Sequence, residues 1–332
     1  MHSGGDRAVR FLSAMGRYQP GLRNPRFSIV IPFFNRPREL RRAVESCLRQ
    51  ELADFEVILV DDGSTESPFA GGEFSGDARL KLIRHETNRG HAAARNTGNC
   101  AAAAEWIVSL DSDDVLLPGA LARMDERIRS DGAGVERLAF MYRRDDGLVS
   151  PFPELRDAIL DYSSYVAWLE GRSLYDFLAC TKRFTFETVR WEERRWVDHC
   201  LYNLDFAKRH RTLCSSETLA LVHTGGTDRV SRQRRDPRNA LKAGAELGEE
   251  MDLILSRHGE ALKRFAPRTF GMYRRMRASY CYLAGERWKG LKQSGRCLRD
   301  APLSPDAWVI PLLGLASQRV FAKVRSWRPP AT

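Results

Sequence analysis

The 332 residues contain no run of about 18 apolar side chains, the length of a helical membrane span, so no such span is expected. Residues 1–25 are Arg-rich and lack the apolar centre of a secretory leader, and a loose basic tail is expected there. Cysteine is sparse: Cys47, Cys100, Cys180, Cys200, Cys214, Cys281 and Cys297 are odd in number, scattered, and form no Cys-x-x-Cys. That argues against a disulfide framework and a zinc site and fits a reducing, cytoplasmic setting. There is no tandem repeat array, no low-complexity block and no recognised nucleic-acid-binding motif. The first apolar strand pattern is not followed by a Gly-rich basic loop, which speaks against a nucleotidyltransferase-type phosphate cradle.

What is present is unevenly distributed. The chain carries 53 Lys and Arg against 43 Asp and Glu, a formal net charge of +10. From Thr227 to Thr332 there are 22 basic and 10 acidic residues, so the remainder is close to neutral. A basic third points to a polyanionic partner or an anionic membrane surface. One reading open at this point is therefore a basic polyanion- or nucleic-acid-binding protein.

Residues 27–115 alternate strand and helix patterns. Apolar runs at Phe27–Phe34, Phe55–Val60, Leu80–His85 and Glu105–Leu110 alternate with helical stretches ending at Gln50 and covering Asn88–Ala104. This order predicts an α/β fold with a mostly parallel sheet and helices on both faces. Ligands of such sheets bind beyond the carboxyl ends of the strands, so the loops at Pro32–Asn35, Asp61–Ser64 and Asp111–Asp114 are expected on one rim. Helices are also expected at Pro118–Arg129 and Trp196–His210. A helical hairpin is expected near Gly285.

The stretch Trp106-Ile107-Val108-Ser109-Leu110-Asp111-Ser112-Asp113-Asp114 runs a buried strand into three carboxylates. Acidic groups at one point must repel or share a cation, and Mg²⁺ typically binds one or two carboxylates plus substrate phosphates. The alternative is a set of caps for the helix that Pro118 would open.

Taken in order, Ile31-Pro32-Phe33-Phe34-Asn35, Val60-Asp61-Asp62-Gly63-Ser64-Thr65, Asn88-Arg89-Gly90 with Ala94-Arg95-Asn96-Thr97-Gly98, and Leu110-Asp111-Ser112-Asp113-Asp114 resemble the family 2 glycosyltransferases. The resemblance covers about residues 27–225 and implies a GT-A fold, a Rossmann-like nucleotide-binding α/β domain. It implies nucleotide-sugar contacts by Pro32, Asn35, Asp62, Arg95 and Asp111, with Asp62 reading the base. Without a ligand, Asp61 and Asp62 could instead form an Asx turn with Gly63. It further implies Mn²⁺ or Mg²⁺ on Asp113 and Asp111, with Arg95 supporting the cluster or the phosphates. Arg95's structural alternative is a salt bridge to Asp62 or Asp111.

In the family a Glu-Asp pair precedes an amphipathic helix, and Trp191-Glu192-Glu193-Arg194-Arg195-Trp196-Val197-Asp198 is the matching text. Val197 replaces the first acid, leaving Asp198 as the implied general base, with Glu192 or Glu193 as the alternative. This departure also keeps open an inactive glycosyltransferase-like domain. Leu221-Val222-His223-Thr224-Gly225-Gly226 with Arg229-Val230-Ser231 resembles the segment that closes the domain. It implies His223 as a further metal ligand and Arg229 and Ser231 as phosphate clamps. His85, His91 and His199 stand in no comparable context. Trp168, Trp191 and Trp196 could stack on sugar rings, Trp191 foremost, although aromatic residues are usually core, and Cys180 is expected as a small buried residue.

The expectation is thus a tail (1–25), a GT-A catalytic domain (26–226) and a basic, mainly helical C-terminal region (227–332). The implied activity is metal-dependent, inverting transfer of a sugar from a nucleoside diphosphate, UDP foremost, to a glycan or lipid-linked hydroxyl in surface polysaccharide synthesis. No nucleic acid is expected as partner. Asp306–Arg328 mixes Trp, Leu and Val with Arg and Lys, which suits either peripheral contact with the inner membrane face or packing against the catalytic domain.

Overall fold

The computed structural model describes residues 25–66, 76–151, 153–170, 176–194, 199–223, 237–300 and 305–316. The tail 1–24, Asp198, Arg229 and Ser231 lie outside them.

Strands β1 (Phe27–Phe33), β2 (Phe55–Asp61), β3 (Leu80–Arg84) and β4 (Trp106–Ser109) pair in parallel in the order β3-β2-β1-β4. Every residue of β1 and β2 is buried, as near-continuous apolar strands covered on both faces should be. Helix α1 (Pro37–Leu48) begins with proline at its first turn and buries Leu40, Ala43, Val44 and Cys47 on one side. This side packs with Ile29, Ile31, Val57 and Leu59. Each such fully buried aliphatic contributes about 1.5–3 kcal/mol. Helix α2 (His91–Ala101) covers the opposite face, where Ala92 and Ala94 meet Val30, Ile58 and Val60. Gly98 sits so close to Val30 that a Cβ there would clash.

Beyond β4 the sheet becomes mixed. Strand β5 (Asp114–Leu116) follows at once, then α3 (Ala120–Asp131), β6 (Arg137–Arg144), and the short β7 (Val149–Ser150) and β8 (Ala158–Leu160). Helix α4 (Tyr162–Trp168), β9 (Leu178–Lys182), α5 (His199–Ala207) and β10 (Thr212–Val222) complete this half. Strand β9 is antiparallel to both β4 and β6, while β10 runs parallel to β6 and antiparallel to β5.

The helix expected from Pro118 begins at Ala120, after left-handed Gly119. The acidic run therefore does not cap it: Asp114 N donates to Asp111 O at 3.1 Å, and the chain turns straight into β5.

Among the described residues four helices follow: α6 (Pro237–Phe265), α7 (Pro267–Leu283), α8 (Arg287–Asp300) and α9 (Pro305–Ala316). Gly285, at φ 80°, makes the expected turn between α7 and α8. A second core joins Tyr165, Val166, Leu201 and Leu204 of α4 and α5 to Leu247, Met251, Ile254 and Tyr280 of α6 and α7. Arg257 and Arg194 tie α6 to the 192–194 segment through Arg257–Glu192 (3.0 Å) and Arg194–Glu249 (2.5 Å). Helix α9 turns Ile310 and Leu313 inward onto these helices rather than onto the sheet, and Pro311 lies inside it. Among the described residues no helix is long and apolar enough to cross a membrane.

Candidate active site

The parallel register sets the rim. Phe33 is level with Asp61, and Val30 with Ser109, so the loops after β1, β2 and β4 leave the sheet side by side. Pro32 is a buried strand residue at the carboxyl end of β1. Asn35 has φ 53°, a left-handed turn that asparagine tolerates better than most residues. Its N–H donates to Ser64 Oγ (2.9 Å), and its side-chain oxygen accepts from Thr65 N (2.9 Å) and Thr65 Oγ1 (3.1 Å). Asn35 therefore fastens the first rim loop to the second.

Asp61 and Asp62 divide the labour that the sequence left open. Asp61 makes the turn, its Oδ1 accepting from Ser64 N at 2.8 Å. Asp62 faces the other way and is buried. Its Oδ1 meets His85 Nδ1 at 2.7 Å and accepts from Arg89 N at 2.9 Å, while Oδ2 accepts from Gly90 N at 2.8 Å. Gly90, at φ 94°, closes the turn into α2. A carboxylate offers about four lone-pair sites, so three donors leave one on Oδ2 for a ligand N–H. His85 continues the chain of bonds to Thr97 Oγ1 at 3.0 Å.

Arg95 is buried on α2 and pairs with Asp111, and its Nε donates to His91 Nε2 at 2.5 Å. Burial and the Arg95 charge push the His91 imidazole down to about 3, so this ring is neutral and its Nε2 is an acceptor. Burial opposes ionisation of Asp111, yet Arg95, with His91, His199 and Arg36, holds its carboxyl well below the usual range. Asp113 is buried and pairs with Arg36, Nη1 to Oδ2 at 3.2 Å. Of the two partners foreseen for Arg95, Asp111 is the one it takes.

His223 follows β10 directly. It is the residue after the last antiparallel pair, Val222↔Asp114. Its Nδ1 lies 3.6 Å from Asp145 Oδ2.

The first residue of α5 and residues 191–193 lie against α2. His199 stands 6.1 Å from the His91 ring and 5.2 Å from the Trp191 ring. Glu193 accepts from Arg89 (2.9 Å) and Asn96 (3.2 Å), and Glu192 is bound to Arg257, so both alternative bases are committed to cations or amides. Trp191 departs from expectation. It is buried and stacked on Tyr202 at 4.1 Å, with Arg95 above it at 5.5 Å, and so is core rather than a platform for a sugar. Cys180 is fully buried, which raises its thiol pKa.

Arg36, His85, His91 and His199 are the site residues that the sequence did not disclose. The signal that could have found His85 is topological, because a polar side chain at the carboxyl end of β3 must stand on the same rim.

The donor set available to a cation is hard: the Asp111 and Asp113 carboxylates, with an imidazole alongside. Among the described residues no three His, Cys, Asp or Glu side chains converge to enclose an ion by themselves. Two carboxylates completed by ligand phosphates suit Mg²⁺ or Mn²⁺, so these residues fit such an ion as partial ligands.

With this geometry in place, likeness to known proteins can be weighed. Residues 28–188 match the model of glycosyl transferase family 2. The succinoglycan biosynthesis protein ExoO of Rhizobium meliloti is 40% identical over 111 residues, which is 33% of this chain and 32% of ExoO. An Escherichia coli protein, UDP-Glc:alpha-D-GlcNAc-diphosphoundecaprenol beta-1,3-glucosyltransferase WfgD, is 37% identical over 95 residues, or 28% of this chain and 37% of WfgD. The matches thus span only about a third of these relatives. The crystal structure of S. aureus TarS 1-349 in complex with UDP-GlcNAc superposes with a TM-score of 0.57 at 16% identity, over 91% of this chain and 88% of that chain. Residues 28–188, which build the rim described above, thus form a domain of glycosyl transferase family 2.

Proposed function

We propose that the protein transfers a sugar from a UDP-linked donor to a hydroxyl of a glycan or lipid-linked acceptor, with inversion at the anomeric carbon. The observation that supports this reading is the rim itself, where buried Asp62, the Arg95–Asp111 pair and the Arg36–Asp113 pair stand on the loops that follow neighbouring parallel strands. Asp62 offers its remaining lone pair to a base N–H, and Arg95 stands ready for diphosphate oxygens. Asp113 and Asp111 would hold a Mg²⁺ or Mn²⁺ that neutralises charge on the leaving diphosphate, and His223 is assigned to the same ion on the motif alone. Asp198 takes the acceptor's proton while its oxygen attacks opposite the diphosphate. The support for Asp198 is that His199, the next residue, stands beside His91 and Trp191. Arg229 and Ser231 are assigned to the phosphates on the motif alone.

The UDP donor is supported by the names of WfgD and of the TarS complex, a surface polysaccharide by ExoO, and a lipid diphosphate acceptor by WfgD. Such an acceptor places the enzyme at the inner membrane face, and the C-terminal helices suit that setting. Helix α9 exposes Trp308, Val309, Leu312 and Leu315, and the adjoining α8 exposes Arg287, Lys289, Lys292, Arg296 and Arg299 beside Trp288. Apolar and basic groups on adjacent helices complement an anionic bilayer surface.

The test is a thermal-shift panel of UDP-, GDP- and dTDP-sugars with and without Mn²⁺. A UDP-sugar with Mn²⁺ should raise Tm, since ligand at 100 times Kd adds about 2.7 kcal/mol of stability. Asp113→Ala should lose that shift. No shift with any donor, together with salt-sensitive binding of polyanions, would replace this reading with the polyanion-binding one.

A further inference from the structure

Arg36 belongs to no motif discussed so far, yet it occupies the carboxylate on which the metal reading depends. It follows left-handed Asn35 and directly precedes α1, and its guanidinium lies 3.2 Å from Asp113 Oδ2. Both side chains are largely withdrawn from water, 14% exposed for Arg36 and 10% for Asp113. Asp111 is held in the same way by Arg95. Each acid of the Asp-x-Asp pair therefore already has a resident cation.

A divalent ion approaching Asp113 competes with that guanidinium for the same oxygen. Displacing Arg36 would break a largely buried ion pair, which is costly. Binding the ion alone is thus opposed. A diphosphate changes the balance, because its oxygens accept a planar guanidinium fork and replace the lost carboxylate. A diphosphate without the ion faces the two carboxylates and is opposed in its turn. Each ligand removes the obstacle to the other, and the coupling must be reciprocal.

We propose that Arg36 is the resident counter-cation of Asp113 and exchanges that carboxylate for diphosphate oxygens when metal and nucleotide arrive together, so that each binds well only with the other. The proposal rests on the donor-site reading above and assigns Arg36 as a positioning residue, not a catalytic one.

The test measures Mn²⁺ binding from the free Mn²⁺ EPR signal, with and without UDP, against a protein-free Mn²⁺–UDP control. In the wild type UDP should tighten Mn²⁺ binding about tenfold or more, within the usual range of coupling. Arg36→Gln should bind Mn²⁺ alone about tenfold more tightly than wild type and lose most of the UDP effect. Arg36→Lys keeps the charge, so Mn²⁺ alone stays weak, while coupling falls because an ammonium offers a point contact in place of a fork. If both variants, or Arg36→Lys alone where Arg36→Gln fails to fold, match wild type within twofold, the inference is overturned and the donor site stands. A wild type that binds neither Mn²⁺ nor UDP overturns both.

Discussion

The rim of the sheet and the C-terminal helices depart from ordinary protein anatomy in opposite directions. At the rim, charge is buried: Asp62, His85, Arg95 and Asp113 are all withdrawn from water, Asp62 bonded to His85, Arg95 to Asp111 and Asp113 to Arg36. In the C-terminal helices apolar surface is exposed, with Trp288 at 82% and Leu312 at 68%. Buried polar groups and exposed large apolar groups are the two observations that ordinary folding does not call for. The rim spends stability on groups preorganised for a small anionic ligand. The helices, among the described residues, carry large apolar side chains at the surface.

The sharpest way to break this contrast is at Asp62. Asp62→Ala removes the acceptor of three donors at once: the His85 ring and the N–H groups of Arg89 and Gly90. Each buried donor left unsatisfied costs about 1–3 kcal/mol, so a loss of about 3 kcal/mol or more is expected in urea unfolding. UDP affinity should fall with it. A variant of wild-type stability would mean that Asp62 is not the keystone of the rim.

How far this arrangement could be read in advance differs along the chain. Strands β1, β2 and β4 were legible because strands buried on both faces leave unbroken apolar runs, and their acidic ends mark the rim. Strands β6, β9 and β10 were not, because their neighbours in the sheet are remote in sequence and β10 mixes exposed and buried positions over 11 residues. The acids of the site were legible because they fall in motifs. Their partners were not: His85 finds Asp62 and Arg36 finds Asp113 only after the strands are laid side by side. Trp191 misled for a related reason, since an aromatic near a motif gives no sign of the Tyr202 ring that covers it. The α8–α9 surface was half legible. The apolar and basic content of Asp306–Arg328 stood in the sequence, but the basic side of α8 with Trp288 did not suggest itself until the two helices were packed together.

At the other pole of the comparison, Leu312→Ser should sharpen it by separating binding from folding. Leu312 is largely exposed, and substitutions at such positions usually change stability by less than about 0.5 kcal/mol. Co-sedimentation with vesicles rich in anionic lipid should nevertheless weaken about tenfold, the effect of removing one buried leucine from an interface. Equal sedimentation of wild type and variant would mean that this side of α9 meets no bilayer.

The smallest effect is expected where the two regions join. Asp161 caps α4, the helix that packs against α6, and its carboxylate accepts from Ser164 N at 2.9 Å in a reciprocal capping box. Bonds from the Ser164 side chain and backbone, and from Ser163, hold its carboxyl down at about 2 against an ordinary 3.8. Asp161→Ala should cost about 1 kcal/mol at neutral pH. Because the folded state depresses this pKa, the unfolded chain takes up the proton first as pH falls. The capping contribution is therefore complete above about pH 4 and disappears as pH drops toward 2. Urea midpoints of wild type and variant should converge over that interval and differ by a constant amount above it. A difference that persists undiminished below pH 2 would mean that the cap acts through packing rather than through its charge, and that the join between the two regions is held by the α4–α6 core alone.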